Sequence, residues 1–265
     1  MMQAMKGVRY LQTRAVTQAV SELSVPVPWG EIRGRVWGPD HGRPVLCLHG
    51  WADNCGTFNT LIPFLPKEYR YVAVDLAGHG QSSHRPPGVF YAFPSYVMDV
   101  RRVVDALQWS KFSIIGHSMG GNIAGMFSAL YPEMVDSIVL LDSYGFLPSD
   151  QKEIPEVMRK GMDEMLQYEK KTGEDKRRVY TYEKAAERAE AGFDKLYLKA
   201  KDQKTAMSAL LQAYRDRNHT VVKIPGDHHV HLNNPEAVAP LVTDFLQAKV
   251  LSQSDTEPDE QSSKL

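Results

Sequence analysis

The sequence predicts an α/β fold in which helices cover both faces of a mostly parallel β-sheet. Three observations predict this class. Residues 44–50, 71–76 and 135–142 are nearly continuous apolar runs, as expected of strands that are buried on both faces. Segments with helical spacing lie between these runs. At residues 112–125, an apolar run passes through a glycine-rich turn into a helix-compatible stretch. Strands that alternate with helices in this way favour a parallel sheet.

The composition fits one domain with a substantial core. The chain has 265 residues, 43% of them hydrophobic, and a formal net charge of -1 at pH 7. It has no sustained basic run, so we expect no nucleic-acid partner, and no apolar stretch is long enough to cross a bilayer. Cys47 and Cys55 form neither a disulfide framework nor a metal-site spacing, and they indicate a reducing, intracellular setting.

The first half of the chain alternates strand and helix patterns. Residues 25–37 alternate around a glycine turn and predict an antiparallel pair of strands at the sheet edge. The runs at 44–50 and 71–76 predict two buried strands. Residues 96–107 place apolar side chains on one face and charged ones on the other, which predicts a covering helix. The run at 135–142 predicts a further buried strand that ends in an acid.

The second half is less regular. Residues 155–170 predict an amphipathic helix. A final helix is expected after Asn234, because Pro235 suits its first turn. We expect this helix to face the sheet with Val238, Leu241, Val242 and Phe245.

We divide the chain into an N-terminal extension, residues 1–22, a domain, residues 23–250, and a polar tail, residues 251–265, that we expect to be disordered. The first twenty residues are basic without an acid, as in mitochondrial targeting segments, although an untargeted extension explains them equally well. The chain ends in Ser263-Lys264-Leu265, which matches the tripeptide that the peroxisomal import receptor binds. We therefore expect a peroxisomal location ahead of a cytoplasmic or mitochondrial one.

The turn at residues 116–120 marks Ser118 as a nucleophile. A serine on a sharp strand-to-helix turn needs very small neighbours two residues away on each side, and Gly116 and Gly120 supply them. The turn directs the backbone N–H of Met119, at the start of the next helix, towards an oxyanion formed during attack. A second N–H is expected from Trp51, because Gly50 lets the preceding loop pass close to the serine.

Two other polar residues near this turn are interpreted as structural. His49 is expected to hold the loop that contains Trp51, since a base at that position would lie on the wrong side of the serine. Asp75 is expected to close the loop at residues 75–82 through its backbone. Neither residue is assigned to the catalytic machinery.

These residues resemble the α/β-hydrolase family through the loop at 49–51, the loop at 75–82 and the turn at 116–120, which occur in the family's order. Within the family, segments 45–51, 131–136 and 224–228 are similar to the vertebrate serine hydrolase-like proteins. The resemblance implies an α/β-hydrolase fold whose lid, at about residues 145–192, is short or truncated here.

The resemblance implies a short penultimate strand at residues 196–202 and a last strand at residues 220–224. It also implies a catalytic histidine after the last strand, shortly before the proline of the final helix. Among His228, His229 and His231, the first has the family's usual distance from Pro235, so His228 is expected to take the proton of Ser118 and return it to the leaving group. The three histidines could instead form a metal cluster. Adjacent side chains in an extended turn point apart, so we expect no metal.

The third member of the triad has two candidates. Most of the family places an acid after the penultimate strand, which matches Asp202, whereas a minority places it after the sixth strand, which matches Asp142. We slightly favour Asp202 and leave open that neither acid is in place.

The sequence thus predicts a serine hydrolase that acts on an ester, thioester or amide of a small acyl substrate through an acyl-enzyme. A serine at this turn argues against dehalogenase or epoxide-hydrolase chemistry, which needs a carboxylate nucleophile. No cofactor is expected, because the glycine pattern is not G-x-G-x-x-G and no P-loop lysine is present. A non-catalytic ligand-binding protein with a defective triad, or an acyltransferase, is the alternative.

Overall fold

The structure is a computed structural model that describes residues 19–145, 154–172 and 219–254, together with Lys152, Thr181, Lys184, Gln212 and residues 215–217. Within this part of the chain, six strands form one sheet: β1 (Val20–Val27), β2 (Gly30–Trp37), β3 (Arg43–Leu48), β4 (Tyr69–Val74), β5 (Phe112–His117) and β6 (Val135–Leu141). Their spatial order is β1-β2-β4-β3-β5-β6.

The sheet is antiparallel at one edge and parallel elsewhere. β1 pairs with β2, and β2 with β4, in antiparallel register. β3 pairs with β4 and β5, and β5 with β6, in parallel register. The predicted hairpin and the four predicted buried strands are confirmed, with β1 beginning at Val20, inside the segment that we assigned to the extension. Because β3, β5 and β6 are parallel neighbours, their carboxyl ends meet at one edge of the sheet.

Five α-helices have both ends among the described residues: α1 (Phe93–Ala106), α2 (Met119–Leu130), α3 (Ile154–Thr172), α4 (Val230–Asn233) and α5 (Pro235–Ser254). The predicted helices at 96–107 and 155–170 correspond to α1 and α3. α3 is the described part of the predicted lid. None of the described helices is both long and apolar enough to span a bilayer.

The helices cover both faces of the sheet. α1 and α2 pack on one face in a core cluster that includes Val100, Val104 and Phe127. α5 packs on the other face with Val238 and Val242. Cys47 and Cys55 are both buried and unbridged. The buried strand patterns are explained by this cover, because each parallel strand contacts helices above and below.

Two expectations about the C-terminal region need correction. Leu241 is 38% exposed, and Leu246, at 2%, is buried where we expected Leu241 to be. The reason is helical geometry, since 238, 242 and 246 share one face whereas 241 is turned away. Residues 220–224 form no strand among the described residues, and Val222 is 51% exposed. The strand expected at 196–202 lies outside the described residues, so no strand is described that could pair with them.

Candidate active site

Ser118 lies in a sharp turn between β5 and α2. Its backbone has φ 50° and ψ −116°, a conformation that non-glycine residues rarely adopt. The Ser118 N–H donates to the carbonyl of Leu141 over 3.2 Å. The Ser118 carbonyl accepts a hydrogen bond from Oγ of Ser143 over 2.9 Å. The end of β6 therefore holds the strained turn in place.

The glycines around Ser118 are required by close backbone contacts. A Cβ on Gly116 would lie 2.7 Å from the carbonyl oxygen of Gly120, and a Cβ on Gly120 would lie 2.1 Å from the carbonyl oxygen of Leu48. Cβ atoms do not approach backbone atoms this closely. This geometry agrees with the steric reason for the glycine spacing.

The backbone groups expected to form an oxyanion hole lie near the serine. Met119 is the first residue of α2, and the N–H groups of a first helical turn have no acceptor within the helix. Gly50 approaches the turn closely, since a Cβ on Gly50 would lie 3.2 Å from Cβ of Ser118. The side chain of Trp51 is 59% exposed, so this residue would contribute through its backbone. The roles of Trp51 and Met119 stay predictions.

His228 and Asp142 contact each other directly. Nδ1 of His228 lies 2.5 Å from Oδ2 of Asp142, across 86 positions of sequence. Asp142 follows β6 with φ 42°. It stands between Leu141 and Ser143, the two residues that hydrogen-bond to the backbone of Ser118. The acid that contacts the imidazole is therefore fixed beside the nucleophile's turn.

A second contact fastens the His228 loop to this turn. Nε2 of His117, the residue before Ser118, donates to the backbone carbonyl of His228 over 2.8 Å. The two imidazole rings lie 4.7 Å apart, centroid to centroid. Ser118, His228 and Asp142, the three residues considered for a triad, therefore lie around the same turn.

The two candidate acids differ in what can be said of them. Asp142, our second choice, contacts His228, whereas Asp202, our first choice, lies outside the described residues. The sequence signal for Asp142 was a buried strand that ends in an acid. This pattern does not indicate which histidine the acid contacts in the fold.

His49 is completely buried and holds two backbone groups. Its Nδ1 donates to the carbonyl of Gly50 over 2.7 Å, and its Nε2 accepts from the N–H of Leu76 over 2.9 Å. Burial lowers its pKa to about 4, so the ring is neutral. The structural interpretation of His49 agrees with these contacts.

Asp75 closes its loop through its side chain as well as its backbone. Its two carboxylate oxygens accept the N–H groups of Cys55 and Gln81, over 2.7 Å and 2.8 Å. The Asp75 carbonyl accepts from Oγ of Ser82 over 2.6 Å. Our expectation named only the backbone, because side-chain contacts between separate loops cannot be recognised from the sequence of one loop.

The three clustered histidines point to different partners. His228 contacts Asp142, and His231 is bonded through Nε2 to Oγ1 of Thr57 over 2.9 Å. His229 places Nε2 3.9 Å from Oδ2 of Asp53. Desolvation lowers the pKa of His231 to about 3. The three side chains therefore do not converge on a common point.

Asp53 and His117 were not among the residues predicted from the sequence. His117 stands between Gly116 and Ser118 in the turn and is buried, and desolvation lowers its pKa to about 4. Ligating atoms of Asp53, His117 and His229 lie within 4.8 Å of one another. These residues come from three separate segments, the loop after β3, the end of β5 and the loop before α4, so no local spacing could have revealed the cluster.

Comparisons with known proteins agree with this architecture. The family model described as alpha/beta hydrolase fold matches residues 43–179. The serine hydrolase-like protein of Danio rerio is 48% identical over an alignment of 326 positions that covers all of both chains. That alignment is longer than this chain, so the fish protein has segments without a counterpart here.

The further matches include a human protein and a solved bacterial structure. The serine hydrolase-like protein of Homo sapiens is 51% identical over 152 residues, covering 57% of this chain and 75% of the human one. The crystal structure of a hypothetical protein from Pseudomonas aeruginosa PAO1 superposes with a TM-score of 0.72 at 25% identity, covering 85% of this chain and 99% of that one.

Proposed function

This chain belongs to the α/β-hydrolase family, and from that premise we propose that it is a serine hydrolase that cleaves an ester, thioester or amide of a small acyl substrate. The observation that supports the proposal best is the contact of Nδ1 of His228 with Asp142, beside the strained turn of Ser118. Acyl transfer needs a nucleophile, a base that takes the proton of the nucleophile, and an acid that orients the base.

The proposed reaction begins with attack of Ser118 Oγ on the carbonyl carbon. As the new C–O bond forms, Nε2 of His228 takes the hydroxyl proton, and the carbonyl oxygen becomes an oxyanion that the N–H groups of Trp51 and Met119 would stabilise. The bond to the leaving group then breaks, and His228 returns the proton to that group. Water attacks the acyl-enzyme in the same way and releases the acid.

Asp142 would act on the imidazole rather than on the substrate. Its carboxylate accepts the Nδ1–H of His228, which leaves Nε2 as the basic nitrogen and stabilises the imidazolium formed during attack. We therefore assign the acid to Asp142 instead of Asp202. The expected peroxisomal address at Ser263-Lys264-Leu265 lies outside the described residues and stays a prediction.

Labelling with a fluorophosphonate probe tests the proposal, since the probe reacts with an activated serine. We expect the purified protein to label, and Ser118→Ala to abolish labelling. His228→Ala should slow it by at least about 10³-fold, as expected when the base of such a triad is removed. His41→Ala, which replaces an exposed histidine outside the site, is the control and should label like the parent.

A folded parent that does not label would contradict the proposal and favour the ligand-binding alternative. Folding is checked by circular dichroism and thermal unfolding. For a protein that labels, hydrolysis of an acyl ester in the presence and absence of an added alcohol separates a hydrolase from an acyltransferase, because only the latter forms the new ester as its main product.

A further inference from the structure

A second group of ligating side chains lies beside the serine turn. Asp53 belongs to the loop after β3, His117 ends β5, and His229 follows the proposed base. One ligating atom from each lies within 4.8 Å of the others, and Nε2 of His229 is 3.9 Å from Oδ2 of Asp53. None of these side chains transfers a proton or contacts the oxyanion in the proposed hydrolysis.

Two atoms of this group are buried without a hydrogen-bond partner. Among the described residues, Oδ2 of Asp53 and Nδ1 of His117 have no partner within hydrogen-bond distance. His117 is only 1% exposed. Burying a polar atom without a partner is unfavourable, because the atom loses its hydrogen bonds to water, so two such atoms at one place indicate a ligand that supplies the missing interaction.

The hydrogen bonds that His117 and Asp53 do form leave one atom of each side chain available to a ligand. Nε2 of His117 donates its hydrogen to the carbonyl of His228, so in the neutral ring Nδ1 presents a lone pair. Metal-bound histidines commonly donate their other N–H to a carbonyl in this way. Oδ1 of Asp53 accepts the N–H of Asn54 over 2.8 Å, which leaves Oδ2 as the atom directed into the group.

We propose that Asp53, His117 and His229 form a binding site for one divalent transition-metal ion of the Zn²⁺ class. Two imidazole nitrogens and one carboxylate oxygen suit Zn²⁺, which binds such ligands tetrahedrally at about 2.0–2.2 Å. Ligands at these distances lie about 3.4 Å apart. On binding, the 3.9 Å separation of His229 and Asp53 would shorten by about 0.5 Å, and the other two separations, which are at most 4.8 Å, by up to about 1.4 Å. The fourth position is left for water or another ligand.

The ion would join three segments that the proposed hydrolysis also uses. Asp53 follows the loop of Trp51, His117 precedes Ser118, and His229 follows His228. The site departs from the sequence-based expectation of no metal, and it differs from the His228-His229-His231 alternative. It does not depend on the proposed hydrolysis, because binding is measured without turnover.

Calorimetric titration of the chelator-treated full chain with Zn²⁺ tests the site. We expect one equivalent to bind, and Asp53→Asn and His229→Gln each to weaken binding at least about tenfold, since even loss of an outer-shell partner weakens metal sites 10–100-fold. His41→Gln, at an exposed histidine elsewhere, is the matched control and should bind like the parent. Ser118→Ala should also bind like the parent, whether or not the chain is a hydrolase.

Absence of stoichiometric binding by the parent would overturn the proposal and leave water as the partner of the two buried atoms. Equal affinity of the parent and both variants would overturn it as well. The two substituted side chains are partly exposed, and thermal unfolding without metal verifies each fold. If neither variant folds, Co²⁺ is added to the parent protein and its absorption spectrum is recorded. Tetrahedral d–d absorption bands would support the site, and their absence would refute it.

Discussion

Substitution of Asp142 by asparagine tests the assignment of the triad acid most directly. An asparagine amide that donates to Nδ1 of His228 would favour the tautomer with hydrogen on Nε2, which cannot accept the serine proton. The substitution also removes the negative charge that stabilises the imidazolium. We therefore expect slower labelling by the fluorophosphonate probe, with the fold retained.

The structure gives the size of this effect. The side chains of His228 and Asp142 are 22% and 45% exposed, so solvent screens their interaction in part. Two unit charges about 4 Å apart interact by about 4 kcal/mol at an effective dielectric constant of about 20, and by about 1 kcal/mol in water. We take about 3 kcal/mol for this pair, which corresponds to about a hundredfold slower labelling. This is less than the loss expected for a fully buried acid.

The assay measures the second-order rate constant of labelling for the parent, Asp142→Asn, Asp202→Asn and Asp136→Asn. Asp136 lies on β6, the strand that Asp142 follows, and its carboxylate pairs with Lys111. Asp136→Asn therefore serves as the matched control. Asp136→Asn and Asp202→Asn should stay within about twofold of the parent. If Asp202→Asn is slow and Asp142→Asn is not, or if neither is slow, the assignment of Asp142 is refuted.

The remaining predictions concern stability. Gly120→Ala should unfold more readily and label more slowly than the parent, because its Cβ would meet the Leu48 carbonyl. Gly161→Ala should instead stabilise α3 by about 0.5–1 kcal/mol, because a Cβ at this position meets no atom within 4 Å. Urea unfolding of both variants at pH 7.5 checks this, and equal stabilities would contradict it. Acid should destabilise the fold through His49, because burial lowers the pKa of His49 from 6.5 in the unfolded chain to about 4 in the folded one. As the pH falls below 6.5, the unfolded chain therefore takes up a proton that the folded chain does not bind. The contribution lost at pH 5 is about 2 kcal/mol, so the free energy of unfolding should fall less between pH 7.5 and pH 5 in His49→Gln than in the parent. If the free energy of unfolding falls equally in the parent and in His49→Gln, His49 does not cause the acid sensitivity.

Much of the fold could be predicted from the sequence because its signals are local. The apolar runs of β3 to β6 required cover on both faces, and the structure has it. The glycines around Ser118 predicted a tight turn, since the contacts that exclude a side chain arise from a fixed local geometry. The buried face of α5 was only partly predicted, because a small change in helix rotation exchanges Leu241 for Leu246.

The pairing of distant residues was decided by the tertiary structure alone. The sequence placed an acid after β6 and a histidine before α5, but Asp142 and His228 are 86 positions apart, and only the packed sheet determines that they meet. The group of Asp53, His117 and His229 has the same origin, because two loops and the end of β5 come together only at the edge where the parallel strands end. The sequence by itself determined the α/β class and the turn of Ser118, which depend on neighbouring residues. Contacts between loops depend on strand order, which no local pattern specifies.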